Sequence, residues 1–383
     1  TASLYNGLSR LFGMAFSIDY TWCVVGMAVL TGVYVIAGGY MATAINDFIQ
    51  GLIMLVGICA VIWAVLSGHG GFMASLKELA EVKDASVTDM PGAFASFFGP
   101  DPFGLLCVVI LTSLGTWGLP QMVQKFYAIK NEKAIRTGTI ISTLFALLIS
   151  GGCYFLGGFG RLFSDKVDLA AGGYDSIIPT MLSGLPDLLI AVVVILVLSA
   201  SMSTLSSLVI ASSSTLTIDL LRGNIIKKMD DREAVFIMRC FIVVFVVISM
   251  IIAIVQYKHS ISFIAQLMGV SWGALAGAFL APFLYGLYWK KTTKVACWVS
   301  FLFGTILMCL NLVSNSTGAF AFPTLLQSPI NCGAFAMVAG LIIVPVVSLF
   351  TKSVPFEVNL PSPEGAIDRE YQHELAVERK GAE

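Results

Sequence analysis

Charged residues are scarce in this 383-residue chain: Asp, Glu, Lys and Arg make up 12% of it, against 57% hydrophobic residues. A soluble domain carries about 25% charged residues. The mean hydropathy is +0.89, and apolar runs of roughly 18 residues or more recur along the chain, each long enough to cross a bilayer core. The composition excludes an ordinary soluble domain and predicts an all-α polytopic membrane protein that lies in a lipid bilayer.

Other scarcities exclude further classes. The net charge is −1, so we expect no nucleic-acid partner. The three His fall in connecting or tail segments, and the eight Cys occur singly without a C-x-x-C pair, so we expect no metal site of the zinc type. The sequence has no paired His, intramembrane Asp pair or nucleophile elbow and therefore does not predict an enzyme. It also gives no sign of an obligate protein partner.

Hydropathy and turn signals predict about nine full spans after a partial N-terminal helix. The predicted segments are 1–13 (partial), 19–37, 44–67, 103–127, 135–160, 186–221, 233–256, 260–288, 293–314 and 330–350. The connection 68–101 is the longest and contains a possible amphipathic helix, "FMASLKELAEV". The partial first helix suggests that the chain lacks the beginning of its protein.

Basic residues orient these spans, because Lys and Arg concentrate in cytoplasmic loops. Twelve basic residues flank the connections near 130, 227 and 291, and five lie on the opposite side. The sequence therefore predicts a multi-pass protein of the cell (plasma) membrane. We divide it into a transmembrane domain over 1–350, incomplete at its N-terminus, and a polar cytoplasmic tail over 351–383 with a short helix in "AIDREYQHELAVERK".

The segment "SASMSTLSSLVIASSSTLTIDLL" continues an apolar run, yet 11 of its 23 residues are Ser or Thr. Ala200, Ser203, Thr204, Ser207 and Ala211 share one helical face. Small residues and hydroxyls at such positions usually serve close helix packing. A concentrated stripe of uncharged oxygens is also what a hard monovalent cation such as Na⁺ prefers, and secondary transporters hold such a cation beside a discontinuous helix.

A discontinuous helix is predicted within span 103–127, where "GTWGLPQ" places Gly115, Gly118 and Pro120 inside an apolar run. Backbone groups freed at such a break are tolerated where they are buried in protein or line a cavity. A simple proline kink is the alternative.

Asp47 begins the apolar span 44–67. A carboxylate there is either an interfacial residue at a helix N-terminus or part of a functional site.

Four separated motifs resemble the sodium:solute symporter family. They are "GGYMATAINDFIQG", "PQMVQKFYAIKNEKAIRTG", the hydroxyl-rich segment and "GLYWKKTTKVA", and the resemblance extends in order over residues 1–350. It implies an inverted-repeat, five-plus-five transporter core. Residues 1–13 would be the end of core helix 3, and core helices 1 and 2 would be missing from this chain. The hydroxyl-rich segment resembles core helix 8.

The resemblance also implies the sites. The family's main sodium site maps onto the carbonyl of Ala200 and the hydroxyls of Ser203 and Thr204. The sialic-acid branch holds a second sodium, and its ligands map onto Asp47, Ser203, Ser206 and Ser207. A second sodium is therefore a hypothesis for this chain.

The sequence indicates the solute less clearly than it indicates the sodium sites. Candidate contacts are Ser113, Thr116, Trp117, Gln121, Gln266 and Trp272, for which helix packing or an interfacial aromatic belt is the alternative. Family members couple Na⁺ influx to solute uptake by alternating access, and here we expect a small organic acid or amino-acid-like solute. A proton-coupled carrier that uses Asp47 is the main alternative, and a channel is a further one.

Overall fold

The computed structural model describes residues 1–85, 87–126, 129, 131–167, 173–226, 229–259, 264–318 and 320–352. Within these ranges it does not describe the side chains at 38–44, 46, 124–126, 165 and 259. The predicted tail helix, most of the tail, and Lys130, Lys227 and Lys228 of the orienting basic residues lie outside the described residues.

The described chain is built from helices, and its longer connections, 82–101 and 159–176, contain short 3₁₀ turns. The helices are α1 (Ala2–Phe16), α2 (Tyr20–Gly68), α3 (Phe72–Glu81), α4 (Pro102–Ser113), α5 (Pro120–Phe126), α6 (Glu132–Gly158), α7 (Ile177–Ser183), α8 (Asp187–Ser214), α9 (Asp231–His259), α10 (Ile264–Tyr288), α11 (Lys294–Thr317), α12 (Thr324–Gln327) and α13 (Pro329–Phe350). Several begin at side chains that accept a backbone N–H, as expected of N-caps: Asp19, Asp101, Asn131 and Thr293.

Among the described residues, eight segments are long and apolar enough to cross a membrane, and a shorter apolar one covers Pro102–Gly118. These correspond to the nine predicted spans. The amphipathic helix predicted in the longest loop is also present, as α3.

Two details of the helices were not predicted from the sequence. The span 186–221 is an α-helix up to Ser214 and then widens into a π-helix over Thr215–Ile225. The predicted spans 19–37 and 44–67 correspond to the separate apolar segments Tyr20–Ala37 and Asp47–Gly68. The backbone between them is also helical, so α2 extends from Tyr20 to Gly68.

The contacts of α2 with α8 show that α2 is not straight. Thr31 Oγ1 lies 3.7 Å from Met202 Sδ, and Gly57 lies against the side chain of Leu196. A straight helix would separate positions 31 and 57 by about 39 Å, whereas positions 196 and 202 are about 9 Å apart along α8. The two halves of α2 therefore both lie beside the same part of α8, as two spans joined by a reversal would.

The neighbouring helices give the directions of the second half of α2. Gly51 packs against Phe145 and Gly152 against Ile58, so this half and α6 run in the same direction. Gly57 meets Leu196, and Val61 and Val65 share a buried cluster with Val193 and Val194. The second half of α2 is therefore antiparallel to α8. These directions agree with the alternation of the predicted spans.

Two groups of helices make up the packed interior. In one, α1, α2, α8 and α9 surround Tyr5, Val24, Leu205 and Ile242. In the other, α10, α11 and α13 pack closely, with α4 and the turn Gly115–Gly118 against them.

The second group is held by glycines. A Cβ on Gly304 would lie 2.5 Å from the Gly277 backbone, and one on Gly273 would lie 2.7 Å from Gly333 Cα. Membrane helices gain little from apolar burial against each other, since lipid tails are equally apolar, so close van der Waals packing at small residues supplies their association.

Candidate sodium and solute site

The predicted break in span 103–127 is present. Helix α4 ends at Ser113, a 3₁₀ turn covers Gly115–Gly118, and α5 begins at Pro120. Leu119 has the extended backbone (φ −87°, ψ 114°) that a residue before proline prefers. The span is therefore interrupted and not merely kinked.

The broken helix lies between the two packing groups. Its 3₁₀ turn packs against α10, and α5 contacts α8. Gly118 and Gly115 are buried, the first against Ala276 and Leu280 and the second against Met337. The break is thus buried in protein on the side of α10 and α13, which is a condition for irregular backbone at membrane depth.

The predicted stripe on α8 is the more open face of that helix. Thr204 is exposed, and Ala200, Ser203, Ser207 and Ala211 are partly buried. The opposite face is packed by Met202, Leu205, Ser206 and Val209, among others. Among the described residues, the packed side of α8 therefore includes Ser206 but not Thr204.

Two of the predicted hydroxyls are oriented by backbone carbonyls. Thr204 Oγ1 donates to the Ala200 carbonyl at 3.0 Å, and Ser206 Oγ donates to the Ser203 carbonyl at 2.9 Å. Each hydroxyl proton is therefore used within the helix, and the oxygen lone pairs are left as acceptors. An acceptor oxygen is what a cation requires.

Asp47 is partly buried, and its Oδ1 is inaccessible to solvent. Both α2 and α8 rise about 1.5 Å per residue. Gly57 contacts Leu196, and the second half of α2 is antiparallel to α8. Ten residues before Gly57 is Asp47 and ten residues after Leu196 is Ser206, so these two residues should lie at the same level. By this count, Asp47 lies near the depth of the serines with which it was grouped.

Gln50 is a polar residue of this region that the sequence analysis did not single out. Its Oε1 is buried and accepts no hydrogen bond within the described part of the chain. The same register places Gln50 at the level of Ser203. Its position one turn after Asp47, in the quoted "NDFIQG", was the available signal, because residues three apart share a helical face.

The candidate solute residues divide into two places. Ser113, Thr116 and Trp117 lie together at the break, where Thr116 Oγ1 donates to the Ser113 carbonyl at 3.0 Å and Trp117 is 58% exposed. Gln121 is partly buried at the start of α5, and Trp272 packs beside the buried cluster around Leu111 and Ala276.

Gln266 lies elsewhere. It lines a cavity of about 470 Å³ together with residues of α11, α12 and the start of α13. The structure therefore does not group Gln266 with the residues of the break.

Comparisons with known proteins agree with this architecture. The family model described as the sodium:solute symporter family matches residues 1–304. The osmoregulated proline transporter of Bacillus subtilis is 26% identical over 348 residues, which cover 90% of this chain and 66% of that protein. The sodium/pantothenate symporter of Haemophilus influenzae is 26% identical over 302 residues, covering 78% of this chain and 60% of that protein.

A third relative, sodium/proline symporter 2 of Staphylococcus saprophyticus, is 25% identical and covers 79% of this chain. The chain spans 58–66% of the lengths of these three relatives. A solved structure of a Na⁺-coupled sialic acid symporter, in a substrate-bound outward-open state, superposes with a TM-score of 0.61 at 16% identity, covering 93% of this chain and 75% of that one. The matched region, the eight candidate spans and the shared fold together place this multi-pass membrane chain in the sodium:solute symporter family.

Proposed function

We propose that this chain is part of a secondary active transporter that couples Na⁺ influx to the uptake of a small organic solute by alternating access. The observation that carries the proposal is the hydroxyl-rich helix α8, with both halves of α2 beside it and the broken helix in contact with it. Membership of the sodium:solute symporter family supports Na⁺ as the ion that this arrangement binds. The protein would lie in the cell membrane with its C-terminus in the cytoplasm.

The main sodium site would consist of the Ala200 carbonyl and the hydroxyls of Ser203 and Thr204. Neutral oxygens suit a hard monovalent ion. The orientation of the Thr204 hydroxyl, with its proton on the Ala200 carbonyl, supports an acceptor role for its oxygen. Further ligands would come from whatever covers the open face of α8.

A second sodium would use Asp47 with Ser203, Ser206 and Ser207. The common depth of Asp47 and Ser206 supports it, and Gln50 adds one more oxygen near that level. The number of coupled Na⁺ ions sets the maximum ratio of solute inside the cell to solute outside. A tenfold Na⁺ gradient is worth about 1.4 kcal/mol and 100 mV adds roughly 2.3 kcal/mol per charge. One ion would thus support on the order of 500-fold accumulation, and two ions would square that limit.

The solute would be a small organic acid or amino-acid-like molecule. The relatives named above carry proline or pantothenate, and the structural neighbour is a sialic acid symporter. Its contacts would include Ser113, Thr116 and Trp117 at the break. Gln121, Gln266 and Trp272 are further candidates, and Gln266 is the least supported because it lines the separate cavity.

Replacing Thr204 by Val tests the main site. The change keeps the shape and removes the oxygen, so we expect half-maximal uptake at a Na⁺ concentration about tenfold higher, equivalent to 1.4 kcal/mol. The assay is solute-dependent ²²Na⁺ uptake into vesicles from cells expressing the gene that carries this chain, across a panel of solutes.

Thr139→Val is the matched control, because Thr139 is also exposed and also donates to the carbonyl four residues before it, at 2.9 Å. Solute uptake that continues unchanged with choline in place of Na⁺, or equal effects of the two variants, would contradict the proposal.

Replacing Asp47 by Asn tests the second site and the proton-coupled alternative together. If two ions are coupled, the ratio of Na⁺ to solute should fall from two to one, because the carboxylate is lost while the shape is kept. An unchanged ratio rejects the second site. Uptake that needs no Na⁺ but follows a pH gradient, and that Asp47→Asn abolishes, favours the proton-coupled carrier.

A further inference from the structure

A cavity of about 470 Å³ lies between the start of α10, the end of α11 and the segment that leads into α13. Its volume is within the range of about 300–1,000 Å³ that small-molecule sites occupy. The polar residues that line it are Gln266, Asn315, Ser316, Thr324, Gln327 and Ser328. All six are uncharged, and the proposed transport mechanism assigns a role to Gln266 alone.

The wall of the cavity is held by two asparagines of α11. Asn311 is fully buried, and its Nδ2 donates to the carbonyls of Leu326 at 2.8 Å and Gln327 at 3.2 Å. Asn315 Nδ2 donates to the Gln327 carbonyl at 3.1 Å. The segment around α12 is thus fixed through its backbone.

Because the asparagines bind backbone carbonyls, the polar side chains that line the cavity are not used to hold this segment. Within the described part of the chain, the side chains of Gln266, Thr324, Gln327 and Ser328 form no hydrogen bond. They offer amide donors, amide acceptors and hydroxyls at one place, without a charge. Thr324 and Gln327 are exposed and Gln266 and Ser328 are partly buried. None of the four offers a counter-charge to an ionised group. A ligand with several hydroxyls and no charge fits better.

The position of the cavity points to a lipid. Gln266 is at the beginning of the span Ile264–Tyr288, Ser316 is at the end of Lys294–Thr317, and Ser328 directly precedes Pro329–Phe350. The ends of spans lie at the membrane surface, where lipid headgroups are.

An apolar stripe leads away from the cavity. Its floor includes Leu312, and the same face of α11 continues through Cys309 and Leu302 to Trp298, all of them exposed. An acyl chain could follow this stripe into the hydrocarbon region while the headgroup stays at the interface.

We propose that this cavity binds a membrane lipid with an uncharged sugar headgroup: the headgroup bonds to Gln266, Gln327, Thr324 and Ser328, and the acyl chain lies along α11. Apart from Gln266, which is also a candidate solute contact, the residues of this site are separate from the proposed sodium and solute site, and the lipid proposal does not depend on transport.

A photoreactive dodecyl glucoside tests the site on the full chain in phosphatidylcholine nanodiscs, with labelled peptides identified by mass spectrometry. We expect labelling within 266–270, 312–316 and 324–328. Unlabelled dodecyl glucoside should compete about tenfold better than glucose or dodecyl phosphate, since each hydrogen bond contributes about 1 kcal/mol.

Two sets of variants give the result its specificity. Leu312→Trp fills the cavity and should abolish labelling, whereas Val313→Trp, one position along and about equally exposed (46% against 45%), should not. Gln266→Leu with Gln327→Leu should weaken competition about tenfold. The latter pair removes no hydrogen bond that the described residues form, and it covers the case in which Leu312→Trp misfolds.

Three results would overturn the proposal. Labelling that survives both sets of variants would place the lipid elsewhere. Equal competition by glucose would mean a site for a free sugar. Equal competition by dodecyl phosphate would mean an apolar groove without headgroup selection.

Discussion

Gly118 has no space for a side chain. A Cβ there would lie 2.8 Å from Leu280 Cβ and 2.9 Å from Ala276 Cα. The second of these atoms belongs to the backbone of α10, so the clash cannot be relieved by a side-chain rotation. Glycine at this position therefore serves the approach of the broken helix to α10.

We predict that Gly118→Ala destabilises the protein by about 1–3 kcal/mol, the usual cost of overpacking. The temperature of thermal unfolding in detergent measures it. Gly138→Ala is the control, because nothing lies within 4 Å of a Cβ on that helical glycine, and it should be neutral or stabilising by up to about 1 kcal/mol. Equal effects of the two changes would mean that α10 and the break are not in close contact.

Residues of the candidate site also show which features of the site can be predicted from their spacing in the sequence. The face shared by Ala200, Ser203, Thr204 and Ser207 follows from helical periodicity alone. Helical periodicity does not show which side of α8 packs against other helices. Ser206, which lies beside this face, is buried, whereas Thr204 is exposed. Gln266 illustrates the same limit, since its position in the sequence did not reveal that it faces α11 and α12.

At the scale of elements, α2 contains two of the predicted spans. Its backbone is helical from Tyr20 to Gly68, including the segment between the spans Tyr20–Ala37 and Asp47–Gly68. The contacts with Met202 and Leu196 nevertheless require its halves to lie side by side.

We predict that two crosslinks can form in the same molecule: one between cysteines at 31 and 202, and one between cysteines at 57 and 196. A short thiol crosslinker applied to a variant without the eight native Cys, followed by peptide mapping, measures both. Cysteines at 31 and 222 are the control, since a straight α2 antiparallel to α8 would bring those two together instead. Crosslinking of that pair in place of 31 with 202 would contradict the folded-back arrangement.

At the scale of the whole molecule, Asp175 joins elements that are distant in sequence. It precedes α7, and both its carboxylate oxygens accept from the backbone N–H of Ile264 at the start of α10, at 3.1 Å. Arg10 of α1 lies 3.9 Å from the carboxylate and stacks over Tyr257 of α9. One side chain therefore connects the two packing groups at one end of the bundle.

Burial raises the pKa of Asp175 above its model-compound value of 3.8, although the Ile264 N–H and Arg10 oppose the rise. The folded state therefore favours the protonated form of Asp175, and the ionised form lowers the free energy of unfolding. This loss of stability is fully present above the raised pKa and disappears as the pH falls towards 3.8.

Asp175→Asn keeps an acceptor for Ile264 and cannot ionise, so its unfolding temperature relative to the original chain should increase as the pH rises through that window and then level off. Thermal unfolding of both proteins over a pH series measures the difference. A flat difference, or one that decreases with pH, would show that pairing with Arg10 outweighs burial.

The sequence by itself determined the class of protein, the approximate spans, the interruption at Gly115–Pro120 and the hydroxyl-bearing face of α8. Hydropathy, glycine and proline chemistry and helical periodicity are local properties, so a linear reading captures them. Its motifs also identified the family, which the comparisons confirmed.

Only the tertiary structure decided which faces meet. The common depth of Asp47 and Ser206, the orphaned Gln50 oxygen, the fold-back of α2 and the uncharged cavity beside α11 each depend on how separate helices pack. In lipid that packing follows from close contacts at small residues and from a few polar bonds. These contacts join residues tens to hundreds of positions apart, and no pattern within a single segment specifies them.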